Sequence, residues 1–278
     1  MHFGASMFCT DYSMRPAELA IALEERCFES LWAPEHSHIP TSRISPWGGG
    51  PELPKRYYDV IDPFVALASA ATVTKTLKLA TGVCLIIQRD TIQLAKEVAT
   101  LDMLSDGRFI FGIGAGWNRE EMADHGTDPA TRIRLMAEKV AILKTIWTQT
   151  KPEFQGEFQS FEPMMTWPKP VQKPHPPILV GGAMPYGARR AIAYGDGWIP
   201  LSGRGVDVLG QLPRFRQLVA EAGRDADSLP ISIFGATADA DQLAQLRDAG
   251  IDRVVFSLDS AAADEVLPVL DNIAGLMA

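Results

Sequence analysis

The chain has 278 residues, and 26 Lys and Arg against 34 Asp and Glu give a formal net charge of −8. Hydrophobic residues at 46% and charged residues at 22% exclude intrinsic disorder, and the acidic excess argues against nucleic acid and anionic membrane as main partners. Three widely spaced cysteines, Cys9, Cys27 and Cys84, make neither a disulfide framework nor a zinc pattern; with no apolar leader at the start, a cytoplasmic protein is expected.

Residues 3–8 read as a first strand and residues 15–26 as a helix with Pro16 in its first turn. A second strand, Ser30 to Ala33, leads into a polar, proline- and glycine-rich stretch at 34–62 that is too long for an ordinary connector. Asp62 then caps a helix beginning at Pro63. Residues 77–87 are a β-rich run. The next helix sets Leu94, Val98 and Leu101 on one face and stops at Asp106-Gly107, where glycine can turn left-handed. A fourth strand spans 108–116, and Met136, Val140, Leu143 and Trp147 stripe a fourth helix.

Residues 150–177 interrupt this rhythm, and Gln155-Gly156-Glu157 between aromatic runs predicts a small hairpin at 153–161. Strands at 178–182, 197–201, 231–235 and 253–258 follow, alternating with helices at 186–194, through Leu212, Phe215, Val219 and Ala222 to Gly223, at 240–249 and at 263–276. Two doubly wound domains can be built from such units, but no linker divides them, and about 250 residues is typical of a (β/α)8 barrel. The expected fold is therefore a single α/β domain over residues 1–278, a (β/α)8 TIM barrel with the hairpin inserted before its fifth strand.

In that fold the active site lies at the C-terminal strand ends. After the second strand comes Pro34-Glu35-His36-Ser37-His38. A carboxylate beside an imidazole can orient a substrate, carry a proton or bond a cofactor ring, or the two can simply meet water. The two histidines lack a clear third metal ligand, so no metal is expected. Gly82 interrupts an apolar β-branched run, as a bulge, a ligand contact or a packing glycine. Gly112-Ile113-Gly114-Ala115-Gly116-Trp117 can expose backbone N–H groups to phosphate, although it is neither a dinucleotide fingerprint nor a P-loop. Glu120 and Glu121 follow, to line the site or to charge a helix face. Gly181-Gly182-Ala183 opens a helix N-terminus suited to phosphate, with Arg189 and Arg190 more than a turn further on as surface charge. With no nucleophile elbow, zinc helix or catalytic-cysteine signature, the hard chemistry falls to an organic cofactor.

Several segments carry a resemblance in their order and spacing: Leu31-Trp32-Ala33-Pro34-Glu35-His36, Leu79-Ala80-Thr81-Gly82-Val83, Leu104-Ser105-Asp106-Gly107-Arg108-Phe109, Gly112 through Asn118, Gly181-Gly182 and Gly195-Asp196-Gly197-Trp198. Together they resemble the luciferase-like monooxygenase superfamily, and within it the branch of coenzyme F420-dependent oxidoreductases, from the first strand to about residue 201. The resemblance implies a barrel with an insertion before strand five and a flavin or deazaflavin at its mouth, resting on a non-prolyl cis peptide that maps onto Gly82-Val83. It implies that His36 orients substrate or transfers a proton, and that Glu35 positions that imidazole or bonds the ring. Ala115, Gly116 and Trp117, with Gly181, Gly182 and Ala183, map onto loops that hold the cofactor's chain and phosphate.

Two departures bear on function. Flavin-using luciferases grip the FMN phosphate with an arginine where this chain has Ala115, which favours F420 over FMN. Some F420 dehydrogenases place a proton-donating glutamate where Trp117 stands, which argues against sugar-phosphate dehydrogenation. The expectation is an oxidoreductase moving a hydride between F420 and a small organic substrate, as a homodimer. The alternatives are a two-component FMN-dependent monooxygenase served by a separate reductase, and a non-catalytic cofactor-binding barrel. The segment 37–61, with Trp47, Tyr57 and Tyr58, is expected to cover the mouth.

Overall fold

Short apolar runs, each too brief to be stable alone, pair in parallel. The computed structural model describes residues 1–50, 52–200, 206–225 and 227–277. Its strands are β1 (His2–Met7), β2 (Ser30–Ala33), β3 (Lys78–Thr81), β4 (Phe109–Ile113), the hairpin pair β5 (Phe154–Gln155) and β6 (Ser160–Phe161), then β7 (Ile178–Gly181), β8 (Gly197–Ile199), β9 (Ser232–Phe234) and β10 (Arg253–Leu258). Eight of them form one sheet in the order β8-β7-β4-β3-β2-β1-β10-β9, and every pair in it is parallel. A bridge between Trp198 and Ile231 brings the two edges together, with Trp198 N donating to Pro230 O at 2.9 Å. The sheet is thus a nearly closed barrel of the expected TIM type, with the hairpin inserted before its fifth strand.

The helices are α1 (Pro16–Glu25), α2 (Arg56–Asp59), α3 (Pro63–Ala71), α4 (Thr91–Leu104), α5 (Arg119–Asp124), α6 (Arg132–Thr148), α7 (Tyr186–Tyr194), α8 (Val208–Glu221), α9 (Ala240–Asp248) and α10 (Ala263–Ala274). Strand alternation sorts the core into two layers. Trp32, Ala80, Ile110, Leu179, Ile199 and Val255 pack together inside the barrel. Their neighbours Phe109, Phe111, Ile178 and Val180 face outward, in the same cluster as Val98, Val140 and Ala188 of the helices. Helix starts follow local chemistry: Asp62 accepts from Val65 N at 3.0 Å and Asp90 from Gln93 N at 2.8 Å, caps worth about 1 kcal/mol each. Among the described residues, no helix is long and apolar enough to cross a membrane.

Three departures from expectation have local causes. The run at 77–87 is a strand only to Thr81; Leu85 N turns to Glu35 Oε2 at 2.6 Å instead of a neighbouring strand, and a 3-10 turn follows at Ile86–Gln88. The strand expected at 108–116 stops at Ile113, and Gly116 sits at a φ of 67° that closes the loop behind it. Ala222 lies past the end of α8 and is exposed; Leu218 takes its place on the buried face. Leu201, the expected end of the β8 run, lies outside the described residues.

Candidate functional site

The C-terminal ends of β3, β4 and β7 converge on Val83. The Gly82-Val83 peptide is cis. A Cβ on Gly114 would fall 2.6 Å from Val83 Cγ2, and one on Gly181 would fall 3.5 Å from Val83 Cγ1. One step inward, Thr81 Oγ1 donates to Gly112 O at 2.7 Å, and a Cβ at position 112 would lie 2.1 Å from Thr81 O, so this seam closes only on glycine. Gly82, Val83, Ala115, Gly116, Trp117, Gly181 and Gly182 are half-buried and Ala183 is exposed, whereas the strand residues just before them are buried. The result is a reachable strip of backbone and small side chains across three strand ends. Gly182, with a φ of 139°, has a conformation that strains any other residue.

Arg190 flanks this strip. Its Nη2 lies 2.7 Å from where a Cβ on Gly182 would stand, and its Nε is buried with no hydrogen-bond partner among the described residues. The surface charge expected from sequence is therefore a half-buried guanidinium beside the strip. An unpartnered donor next to half-buried glycine backbone suits an anion.

His36 follows β2 and is buried, with Nδ1 2.7 Å from Oε2 of Glu121, itself fully buried. An ionised carboxylate only accepts, so this contact places a proton on Nδ1 and leaves Nε2 as the basic nitrogen, with no protein partner among the described residues. Glu121 arrives on the first turn of α5, whose N-cap Asn118 accepts from Glu121 N at 3.4 Å. Its other oxygen accepts from Ser37 N at 3.1 Å. The rings of Tyr57 and Trp117 stand 5.4 and 5.6 Å from the imidazole.

Glu35 does not position this imidazole. Adjacent residues of an extended segment point to opposite sides, and Glu35 turns away to accept from Leu85 N and from Arg89 Nε, both at 2.6 Å. Arg89 also holds Asp62 at 2.5 Å and Glu97 at 3.0 Å, which ties β2 to the starts of α3 and α4. Burial alone would lower the Arg89 pKa, but Glu35 beside it drives the value up. Burial, with Glu35 adding to it, pushes the Cys84 thiol well above its ordinary range, so Cys84 is an inert core residue. The acidic partner of His36 is thus Glu121, whose role the sequence leaves open. One signal points to it: Asn118-x-x-Glu121 has the spacing of an N-cap and third helical residue, which puts the glutamate at the strand-end loop.

Glu120 faces the segment 37–61, and its Oε1 accepts from Ile44 N at 3.1 Å and Ser45 N at 3.2 Å. Ser45 Oγ in turn accepts from Arg119 N at 3.1 Å, and Trp47 Nε1 donates to the Tyr57 hydroxyl at 3.2 Å. Arg43 lies over the Trp117 ring at 5.7 Å. The segment is thereby fastened beside His36.

The mouth of this parallel barrel thus combines glycine-lined strand ends, a half-buried arginine and a carboxylate-held histidine. Residues 14–266 match the model of the luciferase-like monooxygenase family, and the chain belongs to that family. An uncharacterized Mycobacterium tuberculosis protein is 38% identical over 283 residues, covering 100% of this chain and 99% of the relative. The F420-dependent glucose-6-phosphate dehydrogenase of Kineococcus radiotolerans is 30% identical over 215 residues, covering 75% of this chain and 59% of the relative. Among solved structures, a monooxygenase from Streptomyces bottropensis superposes with a TM-score of 0.78 at 20% identity over 100% of this chain and 98% of the other, a likeness of fold. F420-dependent dehydrogenases and FMN-dependent monooxygenases both occur among the relatives, which supports an oxidoreductase with a flavin-type cofactor.

Proposed function

We propose that this chain is an F420-dependent oxidoreductase that moves a hydride between the deazaflavin and a small organic substrate. The observation that carries the reading is His36, held through Nδ1 by buried Glu121 with Nε2 left free beside the glycine-lined strip. F420 bound there supplies the two-electron chemistry. The protein's part is to bind, orient and handle the proton.

The residues fit such a group. Gly82 and Val83 form the floor of the strip, the backbone of Ala115, Gly116, Gly181 and Gly182 faces the cofactor's chain, and Arg190 offers its orphaned N–H to a phosphate. His36 Nε2 takes the proton of an alcohol, or returns it to a carbonyl, while Tyr57 and Trp117 exclude water from the imidazole. Glu35 serves the scaffold through Arg89. Ala115 supports F420 over FMN, because the strand-4 loop offers no arginine.

The second reading is an FMN-dependent monooxygenase, and Arg190 is the observation in its favour, since it puts a cation near the strip despite Ala115. Side-by-side titration of the purified apo-protein with F420 and FMN, read by fluorescence and calorimetry, separates the two. Tight F420 binding with negligible FMN binding is the expected result. Preference for FMN overturns the reading and makes oxygen uptake with reduced FMN the next assay. If neither binds, a cofactor-dependent oxidoreductase is the wrong description.

A further inference from the structure

We infer that His36 is connected to solvent by a built proton path running through Glu121 and Ser37 to His125. The inference rests on the proposed proton role of His36 but is argued from a separate set of contacts. Fully buried Glu121 has no water route of its own, so a proton that His36 hands to it needs a way out. That way is Ser37. Its Oγ lies 3.4 Å from Glu121 Oε1 on one side and 2.6 Å from His125 Nε2 and 2.9 Å from His38 Nδ1 on the other. Ser37 and His125 are both exposed, so the path meets solvent from the serine hydroxyl outward. His38 Nε2 meets Asp124 Oδ2 at 3.0 Å, where the two side chains are 40% and 59% exposed. The chain of contacts therefore begins at a buried imidazole and ends at two histidines in water.

The local sequence makes the path compact. Ser37 directly follows His36, and Glu121 and His125 are four residues apart, on one face of α5 and its C-cap. Ser37 N also bonds Glu121 Oε1 at 3.1 Å, so the same residue fixes the carboxylate and offers the hydroxyl.

The hops balance. A proton arriving at His36 Nε2 makes an imidazolium, and the Nδ1 proton passes to Glu121 Oε2. A half-turn of the carboxyl presents that proton to Ser37 Oγ, whose own proton moves to His125 Nε2. His125, now carrying protons on both nitrogens, releases its Nδ1 proton to water. Each relay group ends neutral or ionised as it began, with His36 and His125 in their other tautomers; the reverse sequence returns a proton to Nδ1, frees the one on Nε2 and restores both rings.

The test needs neither substrate nor cofactor. In the full chain labelled with 15N-histidine, NMR reads the His36 tautomer from its ring-nitrogen shifts, and magnetisation transfer from water reads how fast the Nδ1 proton exchanges. We expect Ser37→Ala to slow that exchange by about tenfold or more, with the His36 tautomer unchanged because Ser37 N still holds Glu121. Ser37→Thr, which restores a hydroxyl, should recover the rate. His125→Phe should slow it less, since His38 provides a second exit. Equal melting temperatures confirm that each variant is folded, and Ser37→Gly, which also removes the hydroxyl and keeps the backbone N–H, carries the test if the Ala variant is not. Exchange in Ser37→Ala within about twofold of the parent overturns the path, as does a His36 without a proton on Nδ1. Failure here leaves the cofactor titration untouched, and failure of that titration leaves the exchange result standing.

Discussion

At the N-terminal ends of the strands, Arg253 is gripped by both oxygens of Glu29 at 2.5 and 2.7 Å, and Arg108 donates to Ser105 O, Leu77 O, Thr74 Oγ1, Thr74 O and Ala71 O between 2.6 and 3.1 Å. Asp252 and Asp196 cap the strand starts by accepting from Ile231 N at 2.8 Å and Ile178 N at 2.9 Å. At the opposite ends, Arg190 Nε and Asn118 Nδ2 are buried without partners, and His36 uses one ring nitrogen and leaves the other. Arginine is thus satisfied internally at the floor, whereas at the mouth Arg89 is paired and Arg190 keeps an unpartnered Nε among the described residues. Charge at the floor closes the barrel, while the open valences at the mouth are the ones the proposed cofactor would satisfy.

Breaking the floor should therefore cost the most stability. Arg253→Met leaves the half-buried Glu29 with the Lys78 ammonium at 3.1 Å but without its bidentate partner, and is expected to lower unfolding free energy by about 3 kcal/mol, measured by urea denaturation. Burial would raise the Glu29 pKa, but the Arg253 bonds dominate and bring it from its ordinary 4.5 down to about 2. A depressed carboxyl contributes stability above its unfolded pKa and loses it as pH falls through the folded one. The parent should thus lose roughly 3 kcal/mol from this group between about pH 4.5 and 2. Glu29→Gln, less stable at neutral pH, should lack that slope; an unchanged slope would remove Glu29 from the account.

Gly112→Ala comes next. The added methyl meets Thr81 O where β3 and β4 pair, and a backbone atom cannot step aside as a side chain can. A loss of about 1–3 kcal/mol is expected, read as a lower melting temperature. Loss of cofactor binding should accompany it, since the same seam places Gly82 and Val83. Retained stability would mean that the seam opens freely.

The succession of strands and helices was largely legible in the sequence, because it follows from short-range rules: apolar runs of fixed length, Asp62 as a cap, Gly107 as a stop; the ion pairs of the floor join residues far apart in the chain and left no such signal. The mouth was legible only in part. The glycines at 82, 112, 114, 116, 181 and 182 mark it, since close backbone approach leaves a signature in composition. Partner choice leaves none. Glu35 and Glu121 are both acidic and both near His36 in the fold, and only the direction of an extended backbone decides that Glu35 faces Arg89 while Glu121 faces the imidazole. Arg190 was misread for a similar reason: α7 begins so close to Gly182, with Gly187 N bonded to Ala183 O at 2.6 Å, that a residue eight places downstream reaches back to the loop.

Arg190 sharpens the comparison from the other side. Arg190→Ala removes a guanidinium whose Nε has no hydrogen-bond partner among the described residues, so the apo-protein should melt within a degree or two of the parent, a change of under about 0.5 kcal/mol. Affinity for the cofactor that binds in the titration should fall by about tenfold or more, the worth of a charge-assisted hydrogen bond. A large drop in apo stability with unchanged affinity would assign Arg190 to the scaffold and dissolve the distinction between the two ends.

The smallest effect is expected where the mouth meets its cover. Glu120 is half-buried; its Oε1 accepts two backbone N–H groups from the segment 37–61, and the Ser45 hydroxyl holds its carboxyl below the ordinary range. Being depressed, the carboxylate keeps this tie at neutral pH and gives it up only as the solution becomes acidic. Glu120→Ala should lower global stability by no more than about 1 kcal/mol, because the bonds are at least partly exposed and the barrel does not depend on them. Amide exchange at Ile44 and Ser45 should nevertheless accelerate markedly, since local opening then costs only the remaining contacts of the segment. Trp47 and Tyr57 remain packed on each other at 5.7 Å, so acceleration confined to residues near 44 and 45 would show that Glu120 alone fastens that part of the cover. Unchanged exchange there would mean that the aromatic contacts beside His36 hold the segment without it.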